Sequence, residues 1–382
     1  MTRLGGDLRP LGRVPLLALG FIGLFFGVGA GLARFGFGVP ALAASAAAVH
    51  GPLMICAFLG VVIALERAVA IGRYWAYAGP LLAGLGGMAT VAGATAIGAW
   101  LLLAGSIVLL AASVDIFRRQ RALFTITLAL GAGSWAVGNV LWALGATVHE
   151  VVTWWLAFLI LTIAAERLEL SRFLPPSPMA KRMFALILVV LVAGLLGARQ
   201  SFGPELFAVG LVLLSAWLLK QDVARRTVRN RGLTRFIAVC LLSGYLWLAV
   251  GGGVILVAGG LFPGTRSYDA AVHALALGFV FSMVFGHAPI IFPAVLRVAV
   301  PYHRTFYVPL ALLHVSLVVR LAGDATGQYQ WTRAGALLNA LALAAFIVST
   351  VTAVARGRRG ATARDSPATT GTDFPGGPGA RS

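Results

Sequence analysis

The chain has 382 residues, of which 59% are hydrophobic and 11% are charged, and its mean hydropathy is +0.92. A soluble domain averages about 25% charged residues and cannot hide this much apolar surface from water, so the composition excludes a soluble enzyme, a nucleic-acid-binding protein and a secreted module. The formal net charge is +18. In a membrane protein, the positions of the basic residues along the chain indicate its orientation.

A helix that crosses a membrane needs about 20 mostly apolar residues, because its backbone amides must be satisfied within the helix. The sequence therefore predicts an all-α, polytopic integral membrane protein with twelve transmembrane helices. In chain order they cover 16–33, 41–65, 75–93, 95–114, 122–146, 150–166, 183–198, 204–220, 236–261, 270–296, 305–322 and 333–355.

The segments outside these helices complete the predicted organisation. Residues 1–15 form a basic cytoplasmic N-terminus, 16–356 form the membrane domain, and 357–382 form a tail rich in Gly, Pro, Ser and Thr. Such a tail has little apolar surface to bury, so we expect it to be disordered.

The Lys and Arg residues predict the orientation of the helices. With the N-terminus inside, 25 of the 30 Lys and Arg residues fall in cytoplasmic segments, where basic residues accumulate. This alternation predicts that both termini are cytoplasmic. The expected location is the inner membrane of a bacterial cell, with the lipid bilayer as the main partner.

Histidines inside the predicted helices are the first candidates for function. His50 lies in the second helix, His273 and His287 lie in the tenth, His314 lies in the eleventh, and His149 lies at the outer mouth of the sixth. A polar imidazole in hydrocarbon costs a few kcal/mol, so such residues often mark a functional site. A single buried histidine is more often satisfied by a helix carbonyl, and this alternative applies to each of them.

The depth of the histidines sorts them into two levels. The second and tenth helices both run inward, and His50 and His273 lie about 13 Å and about 5 Å from their outer ends at 1.5 Å per residue. Two imidazoles at this level are able to bind a metal or the iron of a haem between them. His287 forms a possible second, inner site with His314 or with His303 of the following loop. The same layout would also suit a proton relay.

Two glutamates lie in matching local sequences. Glu66–Arg67 ends the second helix and Glu166–Arg167 ends the sixth, one hundred residues later. A membrane-edge ion pair is the more common meaning of such a pair, and a proton path is the alternative. Glu150, beside His149, is a further proton or metal candidate. The repeated setting predicts that blocks of four helices repeat.

Several segments together resemble the NnrS family, which comprises twelve-span haem- and copper-containing membrane proteins of the bacterial nitric-oxide response. They are GYLWLAVG at 244–251, HALALGFV from His273, HGPLMICAFLG in the second helix and YVPLALLHVSLVVRLAG in the eleventh. The resemblance implies an architecture like the catalytic subunit of haem-copper oxidases, with three quasi-repeated blocks of four helices, which agrees with the Glu–Arg repeat. It also implies haem b at His50 and His273.

The sequence departs from the family pattern at two places. The family's second helix has a His-x-His-Glu cluster, whereas here His50 is followed by Gly51, Pro52 and Leu53. The residues that follow His287 also differ from the family's. Copper is therefore a weaker expectation than haem, and the resemblance does not imply oxidase or proton-pumping activity.

Three functions are compatible with these patterns. The first is a haem-binding membrane protein that binds, senses or passes electrons to a small diatomic ligand such as nitric oxide, with an unidentified redox partner. The second is a proton-coupled secondary transporter or permease without metal, which would use Glu66, Glu166 and the histidines. The third is a membrane scaffold without chemistry.

Overall fold

A computed structural model describes residues 6–170, 177–198, 200 and 202–364, and all regular structure in these ranges is helical. We number the main helices in chain order. They are α1 (Pro10–Ala33), α2 (Ala47–Ile71), α3 (Ala78–Val91), α4 (Thr95–Arg119), α5 (Leu123–Ala143), α6 (Val148–Leu170), α7 (Pro178–Leu196), α8 (Gly203–Gln221), α9 (Gly232–Ala258), α10 (Arg266–Leu296), α11 (Arg304–Thr326) and α12 (Tyr329–Arg364).

Eleven helices in the described ranges are long and apolar enough to cross a membrane. The exception is α3, which has 14 residues where the sequence predicted a helix over 75–93. Its predicted beginning forms a 3-10 turn at Tyr74–Tyr77, and it ends before Gly93, whose φ of 86° is incompatible with a helix. Helical structure is thus continuous from residue 74 to residue 91.

The far C-terminus differs from the prediction in its boundary. Helix α12 continues to Arg364, seven residues beyond the predicted start of the tail at 357. The rest of the predicted disordered tail, 365–382, lies outside the described residues, as do residues 1–5 of the N-terminus.

Three helices form the centre of the molecule. In the most apolar window of each helix, 72% of the residues are buried in α6 and 67% in α2 and in α10, compared with 33% in α1 and in α12. The central helices are thus the second, sixth and tenth. These three helices are four positions apart in the chain order.

The N-terminal segment ties three parts of the chain together at one end of the bundle. Arg13 is buried and donates hydrogen bonds to the Asp7 carboxylate at 2.6 Å and to the Val295 carbonyl at 2.8 Å. The Tyr77 hydroxyl donates to the other Asp7 oxygen at 2.6 Å. We call this the Glu66 end, because α2 ends here, and the opposite end the His50 end.

Candidate functional site

His50 of α2 and His273 of α10 lie side by side near the His50 end. Their ring centres are 6.4 Å apart, and the ring planes differ by 18°. Both side chains are half-buried. The structure thus brings together the two histidines that the sequence placed at one level of the membrane.

Each ring is oriented by a backbone carbonyl. His50 Nδ1 lies 2.7 Å from the carbonyl oxygen of Gly27, and His273 Nδ1 lies 2.8 Å from that of Asp269. A carbonyl oxygen only accepts, so each Nδ1 carries the proton and each Nε2 of the neutral ring has a free lone pair. Among the described residues, neither Nε2 has a hydrogen-bond partner, and neither belongs to the fully buried orphan atoms. Both Nε2 atoms therefore border accessible space.

Both helices change their winding directly after these histidines. The segments Leu53–Leu59 of α2 and Ala274–Phe281 of α10 are π-helical, a rare conformation that is frequent at functional sites. Phe58 and Phe281 each follow their histidine by eight residues, and their rings stack at 6.1 Å and 19°. Helices α2 and α10 therefore approach each other at two successive levels, first through the imidazoles of His50 and His273 and then through the phenyl rings of Phe58 and Phe281.

A carboxylate and a guanidinium lie behind His273. The Asp269 carboxylate accepts two hydrogen bonds from Arg320 of α11, at 2.7 and 2.8 Å, and its Oδ1 lies 3.3 Å from His273 Nδ1. The Arg320 side chain is 6% exposed and lies over the Phe35 ring at 5.1 Å. A carboxylate this close to an imidazole fixes the orientation of the ring and raises its basicity.

The Arg320 side chain is held in turn by α12. Its Nη1 donates to Asn339 at 3.4 Å, and Asn339 donates to the Ser316 hydroxyl at 2.6 Å. The sequence interpretation overlooked Asp269 and Arg320 as site residues. One signal was present for each, since Asp269 precedes His273 by four residues and so shares its helix face, and Arg320 is a charge inside an apolar helix.

His149 and Glu150 line a second region at the same end. A cavity of about 160 Å³ lies between α5, α6, α7, α8 and α9, and both residues border it. The His149 ring meets the Tyr268 ring edge to face at 5.1 Å, and its Nδ1 is buried without a hydrogen-bond partner. The Glu150 carboxylate accepts hydrogen bonds from the amide and the hydroxyl of Thr147, so it caps the start of α6.

The structure gives His287 and His314 different partners. His287 Nδ1 donates to the Met283 carbonyl at 2.7 Å, and its Nε2 lies 3.3 Å from the Arg167 guanidinium. His314 Nδ1 accepts from the indole of Trp247 at 3.0 Å, and its Nε2 is buried and unpartnered. No group of three or more His, Cys, Asp or Glu residues able to bind a metal ion occurs in the described part of the chain.

The two Glu–Arg pairs meet at the Glu66 end. Arg67 of α2 lies 3.9 Å from Glu166 of α6, and Glu66 lies within electrostatic reach of the same carboxyl group. Arg167 instead forms a buried two-point ion pair with Asp222, at 2.8 and 3.3 Å. The repeated motifs are therefore in contact across helices, which the sequence predicted only as separate membrane-edge pairs.

Comparisons with known proteins give one match. No curated protein and no solved structure matches the chain. A family model described as "Domain of unknown function (DUF8744)" matches residues 13–355, which extend from α1 into α12 and include both histidines of the site. The chain therefore belongs to the DUF8744 family.

Proposed function

We propose that this protein is a haem-binding integral membrane protein in which His50 and His273 ligate the iron of a haem b. The observation that carries the proposal is the spacing of the two rings. A metal–imidazole nitrogen bond is about 2 Å long, so a metal ion held between two imidazoles separates their ring centres by about 6 Å. The measured separation is 6.4 Å, and each Nδ1 already makes the carbonyl hydrogen bond that leaves Nε2 to the metal.

The chain's own residues supply the surroundings that such a cofactor needs. The carbonyl oxygens of Gly27 and Asp269 orient the two rings, and Arg320 anchors the Asp269 carboxylate. Phe58 and Phe281 form an apolar layer one level further along the same helices, which keeps water from that side. Haem supplies one-electron chemistry when bound.

The number of histidines that hold the haem decides whether the geometry favours electron transfer or direct binding of a diatomic ligand. If His50 and His273 both hold a haem, no position would remain for a further ligand, so the chemistry that the haem would supply is electron transfer. We therefore place electron transfer to a small diatomic molecule, such as nitric oxide, ahead of direct binding. The resemblance to the NnrS family supports nitric oxide as the diatomic molecule. The separate partners of His287 and His314 favour haem alone over haem with copper.

For the membrane topology we propose twelve crossings, with α3 as the third and both termini in the cytoplasm of a bacterial cell. The continuous helical stretch 74–91 is about 29 Å long when the 3-10 turn is included, close to the thickness of the hydrocarbon layer. The His50 end then faces the outside, and the Arg-rich loops face the cytoplasm.

A haem assay with metal analysis tests the cofactor. We expect purified wild-type protein, expressed with haem supplied, to contain haem b and to show a Soret band. His50→Ala and His273→Ala should lose the haem, while His303→Ala should keep it, because His303 is an exposed loop residue whose ring caps Thr305. Wild-type protein without haem, or either site variant with full haem content, would overturn the proposal.

The ion pair between Arg67 and Glu166, with Glu66 next to Arg67 in the chain, favours a second candidate, a metal-free proton-coupled transporter. Carboxyl groups inside a membrane protein are typical of proton paths. In that case, proteoliposomes would accumulate a solute in response to a pH gradient, and Glu66→Gln would abolish the uptake. Haem in the purified protein together with no gradient-driven uptake would decide for the first candidate.

A further inference from the structure

An apolar cavity of about 80 Å³ lies toward the Glu66 end of the histidine pair, between α1, α2, α10 and α12. All sixteen side chains that line it are hydrocarbon in character, from leucine, isoleucine, valine, phenylalanine and alanine residues. A water molecule needs two to four polar partners to stay in a protein interior. These walls offer none, so water has no stable position there.

The size of the cavity limits what it accepts. An apolar cavity of about 150 Å³ stays free of water and binds benzene or xenon, and the cavity in this protein has about half of that volume. It is too small for a lipid chain or an aromatic ring, and it fits one xenon atom or one or two diatomic molecules. Apolar gases dissolve in the hydrocarbon layer, and half-buried Leu17, Ile291 and Ile347 border the cavity.

The position of the cavity connects it to the histidine pair. Phe58 and Phe281, which stack on each other eight residues after His50 and His273, both line the cavity. Eight residues of helix correspond to about 12 Å. The phenyl pair is therefore a wall shared between the cavity and the side of the bundle on which the imidazoles lie.

We propose that this cavity is a binding site for a small apolar gas molecule taken from the bilayer, which it stores beside the phenyl pair Phe58–Phe281. Its role as a reservoir for the histidine site rests on the proposed function. Binding of gas in the cavity is independent of the proposed function, because binding depends only on the volume and the apolar walls of the cavity.

Crystals of the protein pressurised with xenon test the binding step. We expect an anomalous peak in contact with Phe58, Phe281 and Leu343. Ala288→Leu should abolish the peak, because Ala288 is 4% exposed and lines the cavity. Ala294→Leu makes the same change at an exposed position of the same helix and should leave the peak unchanged. Leu343→Ala enlarges the cavity and should increase xenon occupancy, which keeps a test available if Ala288→Leu does not fold.

Absence of the xenon peak from wild-type crystals, ordered water in the cavity, or persistence of the peak in a folded Ala288→Leu protein would each overturn the proposal. The reservoir role has its own readout in haem-loaded protein, where the rate at which dissolved oxygen takes an electron from the reduced haem should fall severalfold in Ala288→Leu and not in Ala294→Leu. If the protein binds no haem, the proposed function fails while the xenon result still decides the cavity.

Discussion

At the scale of single residues, the charge behind His273 sets the properties of the proposed haem. The Asp269 carboxylate lies 3.3 Å from His273 Nδ1, and a negative charge close to the iron favours its oxidised form. We expect Asp269→Asn to raise the midpoint potential, because it removes that charge and leaves Arg320 unpaired. Arg320→Gln should lower the potential, because the carboxylate then stays without its counter-charge. Redox titration of both variants checks this, and shifts of the same sign would contradict it.

A second residue-scale prediction concerns the buried ion pair at the Glu66 end. The Arg167 and Asp222 side chains are 5% and 2% exposed, and Asp222 also accepts a hydrogen bond from Tyr245 at 2.7 Å. Removing one partner of a buried ion pair costs about 3–5 kcal/mol, and removing a hydrogen bond to a charged group costs about 1.5–3 kcal/mol. We therefore expect Asp222→Ala to destabilise the protein strongly and Tyr245→Phe to destabilise it less.

A partly exposed ion pair provides the control for that comparison. The side chains of Arg119 and Asp115 are 51% and 32% exposed, and exposed pairs contribute about 0–1 kcal/mol. Asp115→Ala should therefore change the free energy of unfolding little, as measured by denaturant titration in detergent. An Asp115→Ala effect as large as that of Asp222→Ala would contradict the assignment of stability to the buried pair.

At the scale of helices, close approach between α11 and α12 fixes the position of Arg320. A Cβ atom added at Gly335 would lie 2.6 Å from the backbone nitrogen and from the Cβ of Arg320, so Gly335→Ala forces the helices apart. We expect reduced thermal stability and a shifted haem potential. Gly253→Ala is the control, because the added Cβ meets no atom within 4 Å and alanine favours a helix by about 1 kcal/mol. Equal melting temperatures for the two variants would contradict this account.

The helices also show how far a sequence predicts this site. Apolar length predicted the existence of the helices, and counting residues from the helix ends placed His50 and His273 at one level, since both features are local. The segments Leu53–Leu59 and Ala274–Phe281 are π-helical, so each residue there turns by less than the roughly 100° of a regular α-helix. A sequence pattern based on about 100° per residue therefore does not predict which side chains of α2 and α10 share a face. The contact of Asp269 with Arg320 spans 51 residues, and only the packing of α10 against α11 brings it about.

At the scale of the whole molecule, the proposed orientation and the role of α3 are tested together by single cysteines. The native Cys56 and Cys240 are both 0% exposed, so they give little background with a membrane-impermeant maleimide. Gln328 lies exposed at the His50 end and Gln120 at the Glu66 end, and Arg9 is exposed before α1. In intact cells we expect Gln328→Cys to be labelled, and Gln120→Cys and Arg9→Cys to be labelled only after lysis, since basic loops stay inside. If α3 crosses the membrane, four crossings separate Arg9 from Gln120, and both residues lie on the same side. Labelling of only one of these two cysteine variants in intact cells would therefore show that α3 does not span the membrane.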